Sequence, residues 1–180
     1  GDAELGARFS EERTRILQAP LPAGSEREVH RIRLRMEGEL ARETSQRHDF
    51  KTGSGGLLDV ETVVQLHQLR YARSYPELLD TCTIEAQLDR LDQRGLLAPE
   101  DADTLRRGWE FLQRLSSRLR IVENRSISDL DEERGDLDSV ARALGYTSPQ
   151  RRGGARRALL EDYRRHTTAV RAVYRRVVGN

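Results

Sequence analysis

Lys51 is the only lysine of this chain, against thirty arginines, and it opens the run Lys51-Thr52-Gly53-Ser54-Gly55-Gly56-Leu57-Leu58-Asp59-Val60-Glu61. A lysine ammonium is a compact point charge suited to single phosphate oxygens, whereas arginine is a planar fork. Three glycines, Gly53, Gly55 and Gly56, stand between the lysine and a helical pattern. A flexible loop feeding a helix N-terminus is where anions are held, so residues 48–56 read as a glycine-rich loop with Lys51, Gly53, Gly55 and Gly56 close to a phosphate or nucleotide. Glycine clusters also make plain turns, and that reading stays open here.

Known phosphate motifs do not fit. A Walker A loop places its lysine after the glycines, the reverse of this order. A dinucleotide fingerprint needs a third glycine where Leu58 stands, and a strand before it. A nucleotidyltransferase Gly-Ser turn is followed about ten residues later by a metal-binding acid pair. Here Asp59 and Glu61 follow Gly53-Ser54 too soon and enter a helix. Acids in a first helical turn complement the dipole. Two residues apart they diverge by about 200°, so joint chelation of one ion is not expected. Asp59 and Glu61 are left with loop-ordering or interdomain roles, one of them pairing with Lys51 or facing a partner domain.

His30, His48, His67 and His166 show no metal-ligand spacing, and no metal site or catalytic residue is assigned. His67 and His166 fall on apolar stripes and read as hydrogen-bonded core or boundary histidines. Cys82, the only cysteine, has no base near it in sequence and reads as a small buried residue. It excludes an intramolecular disulfide and suits a reducing compartment. Arg157, Arg164, Arg171 and Arg175 form a stripe read as a solvated face, with an acidic protein partner as the alternative.

The elements that position these residues follow from apolar spacing. Hydrophobic residues make up 36% and charged residues 34% of the 180, with a mean hydropathy of −0.74. Amphipathic helices with charged outer faces have this composition. Strict alternation is absent, so strands are not supported. A first helix spans Asp2 to Gln18 on Leu5, Phe9 and Ile16. Ser25 and Glu28 make a capping box for a second, striped by Val29, Ile32, Met36 and Leu40. Thr44 to Gly56 is a loop. A third helix, Leu57 to Ala72, carries Val60, Val63, Val64, His67 and Tyr71. Ile84, Leu88 and Leu91 mark a fourth, closed by Gly95. Pro99, Glu100 and Asp101 start the longest helix, through Leu105, Trp109, Leu112, Leu115, Leu119 and Val122. A polar connection, 124–138, leads to a short helix stopped by Gly145. The last helix steps through Leu159, Tyr163, His166, Val170, Val173 and Val177 in a heptad seam. The expected architecture is an all-α bundle of six or seven helices in one domain, 1–180.

A net charge of +1 lacks the basic surplus of a phosphate-backbone binder, so nucleic acid is not an expected partner. No apolar run approaches membrane-spanning length, and the acidic N-terminus has no signal-peptide pattern. A cytoplasmic chain without a membrane partner is expected.

The run Asp49-Phe50-Lys51-Thr52-Gly53-Ser54-Gly55-Gly56-Leu57-Leu58-Asp59-Val60-Glu61 resembles the K-x-G-x-G-G-[IL]-x-[DE]-[IV]-E-F signature of glutamine synthetase adenylyltransferases. Those two-headed enzymes add AMP to a tyrosine of glutamine synthetase and remove it. The related PII uridylyltransferases carry a shorter form. Gln65, Leu69-Arg70-Tyr71-Ala72, Pro76-Glu77-Leu78-Leu79 and Gly95 to Ala102 are similar to the segments that follow in the family. Gly1 to Phe9 resembles the segment just after its nucleotidyltransferase domain. Resemblance is strongest at 49–79 and weak at 124–155. Thr62 departs from the family's phenylalanine, which predicts looser packing there. Leu58 departs from the arginine of the deadenylylating half, which tilts the chain toward the adenylylating half.

The resemblance implies a helical accessory domain beside a nucleotidyltransferase domain, inactive in isolation, with the metal-binding acids upstream of residue 1. ATP and Mg would then be cofactors of the intact enzyme and not of this chain. Implied partners are the nucleotidyltransferase domain, glutamine synthetase and a PII-type signal protein. The alternative is a docking module for glutamine synthetase or a PII-type protein, with a purely structural glycine loop.

Overall fold

Helical spacing dominates the sequence, and a computed structural model bears it out over residues 1–124, 127–147 and 153–179, which it describes. Among these lie seven α-helices: α1 (Ala3–Leu17), α2 (Ser25–Leu40), α3 (Leu57–Tyr71), α4 (Ile84–Gln93), α5 (Pro99–Glu123), α6 (Leu137–Ala143) and α7 (Gly154–Val177). The fold is predominantly α, as expected. Pro76–Leu79 forms a 3-10 turn between α3 and α4. Of the polar connection, residues 125 and 126 lie outside the described set, as does the doublet Arg151-Arg152.

The helix ends follow capping chemistry at several points. Asp2 caps α1, its Oδ1 accepting from the amides of Glu4 and Leu5. Gly95 follows α4 in the left-handed region at φ +62°, where only glycine sits without strain. Pro99 begins α5 with Glu100 and Asp101 on its positive end. The Ser25 capping box does not form. Gly24 is the N-cap of α2 at φ +84°, with no side-chain cap, and Ser25 is already helical.

Strands are a second correction. β1 (Arg47–Asp49) and β2 (Asp129–Asp131) pair antiparallel, with His48 opposite Leu130. Three residues are too few for alternation to register, and the partner lies far along the chain. The ladder fixes Asp49 at the mouth of the glycine loop.

α5 and α7 form the spine of the core. Leu105, Trp109, Leu112, Leu115 and Leu119 of α5 are buried against Leu159, Tyr163, Val170 and Val173 of α7. A Cβ on Gly108 would fall 2.4 Å from Val170 Cγ2, so glycine there sets how closely the two helices approach. α3 is buried on most of its circumference, through Val60, Val63, Val64, Leu66 and His67. Thr62 is buried too, and its hydroxyl donates to Leu58 O at 2.6 Å, so the departure from phenylalanine leaves no orphaned polar group.

The first two helices depart most from expectation. Leu5, Phe9 and Ile16 of α1 are 65%, 68% and 64% exposed, and α1 buries no residue. Its link to the bundle is Arg13, whose guanidinium donates to Leu79 O. In α2, Ile32 and Leu40 are exposed while Arg33 is buried. Cys82 is exposed rather than buried.

His67 sits in the core with Nδ1 2.7 Å from Val63 O. Burial holds its pKa below the usual histidine value, so the unfolded chain takes up the proton first. Stability therefore falls as pH drops below about 6.5, by up to ~1.4 kcal/mol per unit. His67→Gln keeps the hydrogen bond and is expected to flatten that slope in urea titrations between about pH 5 and 7. An undiminished slope would contradict it.

Candidate functional site

The glycine loop is a closed structure. Asp49, at the end of β1, turns its carboxylate inward, and Oδ1 accepts from the amides of Lys51 at 2.9 Å and Thr52 at 2.7 Å. Gly53 N donates to Asp49 O, Gly56 N to Gly53 O, Leu57 N to Phe50 O and Leu58 N to Lys51 O. Gly55 N donates to Asp59 Oδ2 at 2.8 Å. The amides of Lys51, Thr52, Gly53, Gly55 and Gly56 are thus committed within the loop or to Asp59, and the charged group left for a ligand is the exposed Lys51 side chain.

Steric demand explains the three glycines. Gly55 has φ +71°, and a Cβ there would lie 1.9 Å from Thr167 O of α7. On Gly53 it would lie 2.3 Å from Asp49 O, and on Gly56 2.8 Å from Phe50 O. All three permit backbone to pass against backbone.

Beneath the loop, α2, α3 and α7 meet in a buried ion cluster. Asp59 is 0% exposed and Arg33 1%. Arg33 Nη2 lies 2.6 Å from Asp59 Oδ1 and also donates to Gly53 O at 2.9 Å. Arg171 Nη1 lies 3.1 Å from Asp59 Oδ2 and 3.0 Å from Glu37 Oε2. Glu37 Oε2 in turn is 3.1 Å from Arg33 Nη1. Two cations face two anions, which limits the desolvation penalty of burying them. The Arg171 guanidinium stands 4.9 Å from the Tyr174 ring centroid, a cation–π distance. Burial pushes the Tyr174 phenol up to about 12, so it stays protonated, 2.9 Å from His30 Nδ1.

Asp59 and Glu61 point apart, as their spacing predicts. Asp59 joins the ion cluster. Glu61 is half-buried and lines an open cleft of about 500 Å³ with Lys51. Burial raises the Glu61 pKa, and the Lys51 charge opposes that rise. The remaining histidines serve packing and pairing: His48 Nε2 lies 2.7 Å from Glu132 Oε1, and His166 stacks on Phe111. Among the described residues no group of three histidine, cysteine or acidic side chains gathers as a metal-ligand set.

Sequence reasoning missed Arg33 and misplaced Arg171 on a solvated face. Arg33 lies four residues after Val29 and four before Glu37. One helical face therefore carries an apolar residue, a cation and an anion in succession, the signal that could have found it. For Arg171 the signal was its place one residue after the seam position Val170.

The model of the GlnD PII-uridylyltransferase family matches residues 30–178. The chain belongs to that family. The matched span holds the glycine loop, the ion cluster and the cleft. The bifunctional glutamine synthetase adenylyltransferase/adenylyl-removing enzyme of Mycobacterium avium (strain 104) is 36% identical over 183 residues, which cover 100% of this chain and 18% of that enzyme. The enzyme of the same name from Mycolicibacterium smegmatis is 35% identical, covering 99% and 18%. The chain thus spans about a fifth of the length of these relatives. Their alignment includes α1, which precedes the span matched by the family model.

Proposed function

We propose that this chain is the helical accessory domain of a glutamine synthetase adenylyltransferase, placed beside a nucleotidyltransferase domain whose nucleotide Lys51 helps to hold. The enzyme would move AMP between ATP and a tyrosine of glutamine synthetase, with that protein and a PII-type signal protein as its partners. The observation that carries the reading is the Lys51 loop, which is braced from below by buried charges and presents a single ammonium at a cleft. Similarity to enzymes of that name over the full chain supports it.

The loop is built for placement rather than for chemistry. Most of its amides are used internally, so its main contribution is one positive charge at a fixed place. Phosphoryl-group chemistry depends mainly on such positioning and charge stabilisation. The magnesium this reading implies finds no ligand set among the described residues.

Lys51→Ala in the intact enzyme is expected to raise the KM for ATP about tenfold, the scale of one charge-assisted hydrogen bond. Lys51→Arg should rescue it only in part, because the planar fork does not replace a point charge. Unchanged ATP dependence and turnover in Lys51→Ala would sink the reading.

A further inference from the structure

The cleft above Lys51 has a second wall. α5 supplies Gln113, Ser116 and Arg120, while the loop and α3 supply Lys51, Thr52 and Glu61. Its volume of about 500 Å³ lies in the range of small-molecule sites. Most arginines of the chain are ion-paired or donate to a carbonyl, as Arg47, Arg70, Arg106 and Arg134 do. Arg120 and Lys51 are different: neither is in an ion pair among the described residues, and they border the same opening. Thr52 Oγ1 is buried without a hydrogen-bond partner, an arrangement that native structures rarely leave unused. Asp49, the other acid of the cleft, has Oδ1 turned onto the loop amides. Glu61 is then the one carboxylate set against the two cations.

We propose that this cleft binds a polyphosphate, the phosphate tail of a nucleotide, with Lys51 Nζ and the Arg120 guanidinium as its cations and the Thr52 and Ser116 hydroxyls as further donors. The proposal rests on the accessory-domain reading above and adds Arg120, Thr52 and Ser116 to it. Lysine supplies a point charge and arginine a two-pronged donor, a pairing suited to adjacent phosphate groups. Glu61 opposes the bound anion. Its half-buried carboxyl already favours the neutral form more than a free one does, and an anion nearby pushes it further that way. Binding is therefore coupled to proton uptake.

The probe is sodium tripolyphosphate, titrated calorimetrically into this chain at low ionic strength. Lys51→Ala and Arg120→Ala should each weaken binding about tenfold. Glu61→Gln should tighten it and reduce the proton uptake that accompanies it. Arg35→Ala, on the exposed far side of α2, should leave it unchanged. Absence of binding, an Arg120→Ala chain that binds like the parent, or equally tight binding of hexaglutamate would overturn the proposal. The intact enzyme separates it from the reading beneath it. If Lys51→Ala raises the KM for ATP while Arg120→Ala is silent in both assays, the reading stands and this inference falls. If both cations bind tripolyphosphate yet neither variant changes the KM for ATP, the reading fails and the nucleotide assignment falls with it.

Discussion

Asp59→Asn should destabilise the chain by about 3–5 kcal/mol, the cost of leaving a buried charge uncompensated. Asp59 is fully buried, and its two oxygens serve Arg33, Arg171 and the amide of Gly55. Asparagine has nearly the same shape and can still accept from Gly55, so the loss isolates the charge. Arg33 would then sit at 1% exposure with Glu37 as its remaining counter-charge, shared with Arg171. Urea denaturation at neutral pH measures the effect. Arg33→Met alone should be costly as well, because it leaves buried Asp59 with Arg171 as its one remaining cation and releases Gly53 O. The double variant Arg33→Met, Asp59→Asn should recover part of the loss. A coupling of about 2 kcal/mol or more is expected from groups in direct contact. Strict additivity of the two single variants would refute the cluster as a unit.

Gly55→Ala should be nearly as severe, for a reason that involves no charge. The residue lies at φ +71°, and an added Cβ would sit 1.9 Å from Thr167 O. A left-handed conformation costs an alanine roughly 1–2 kcal/mol, and forcing the loop off α7 adds an overpacking term of about 1–3 kcal/mol. Together they come to about 2–5 kcal/mol, read as a lowered urea midpoint with an unchanged m-value. Gly95→Ala is the internal comparison. It has φ +62° and nothing within 4 Å of the added carbon, so it should pay the conformational part alone. Equal losses at both positions would show that contact with α7 contributes nothing.

Much of the fold was legible because long amphipathic helices announce themselves in spacing. α3, α4, α5 and α7 begin and end within a few residues of their expected bounds, and Gly95 and Pro99 punctuate them as capping chemistry requires. The heptad seam of α7 is the buried line of the structure at Leu159, Tyr163, Val170 and Val173. What failed was local and for local reasons. Helical spacing on α1 was correct, yet it did not mean burial, because a stripe is buried only where a neighbour covers it. The ladder between β1 and β2 was invisible because its strands are three residues long and joined only by tertiary contact.

The loop shows the same division at a finer scale. Residue order alone excluded the self-contained phosphate motifs, since Lys51 precedes its glycines and Leu58 takes the place of a third. It also sent Asp59 and Glu61 in different directions, because 3.6 residues per turn leaves no alternative. Tertiary structure decided which of the two goes inward. Asp59 is buried because Arg33 of α2 and Arg171 of α7 converge on it from segments remote in sequence. Glu61 shares with Lys51 one wall of a cleft whose far wall is α5. Periodicity reports the surroundings of a residue along its own helix, but charge pairing and close backbone approach depend on which helices pack together. Spacing placed Lys51 beside a glycine turn; the packing of α2, α3, α5 and α7 made that turn rigid and gave it a cleft to face.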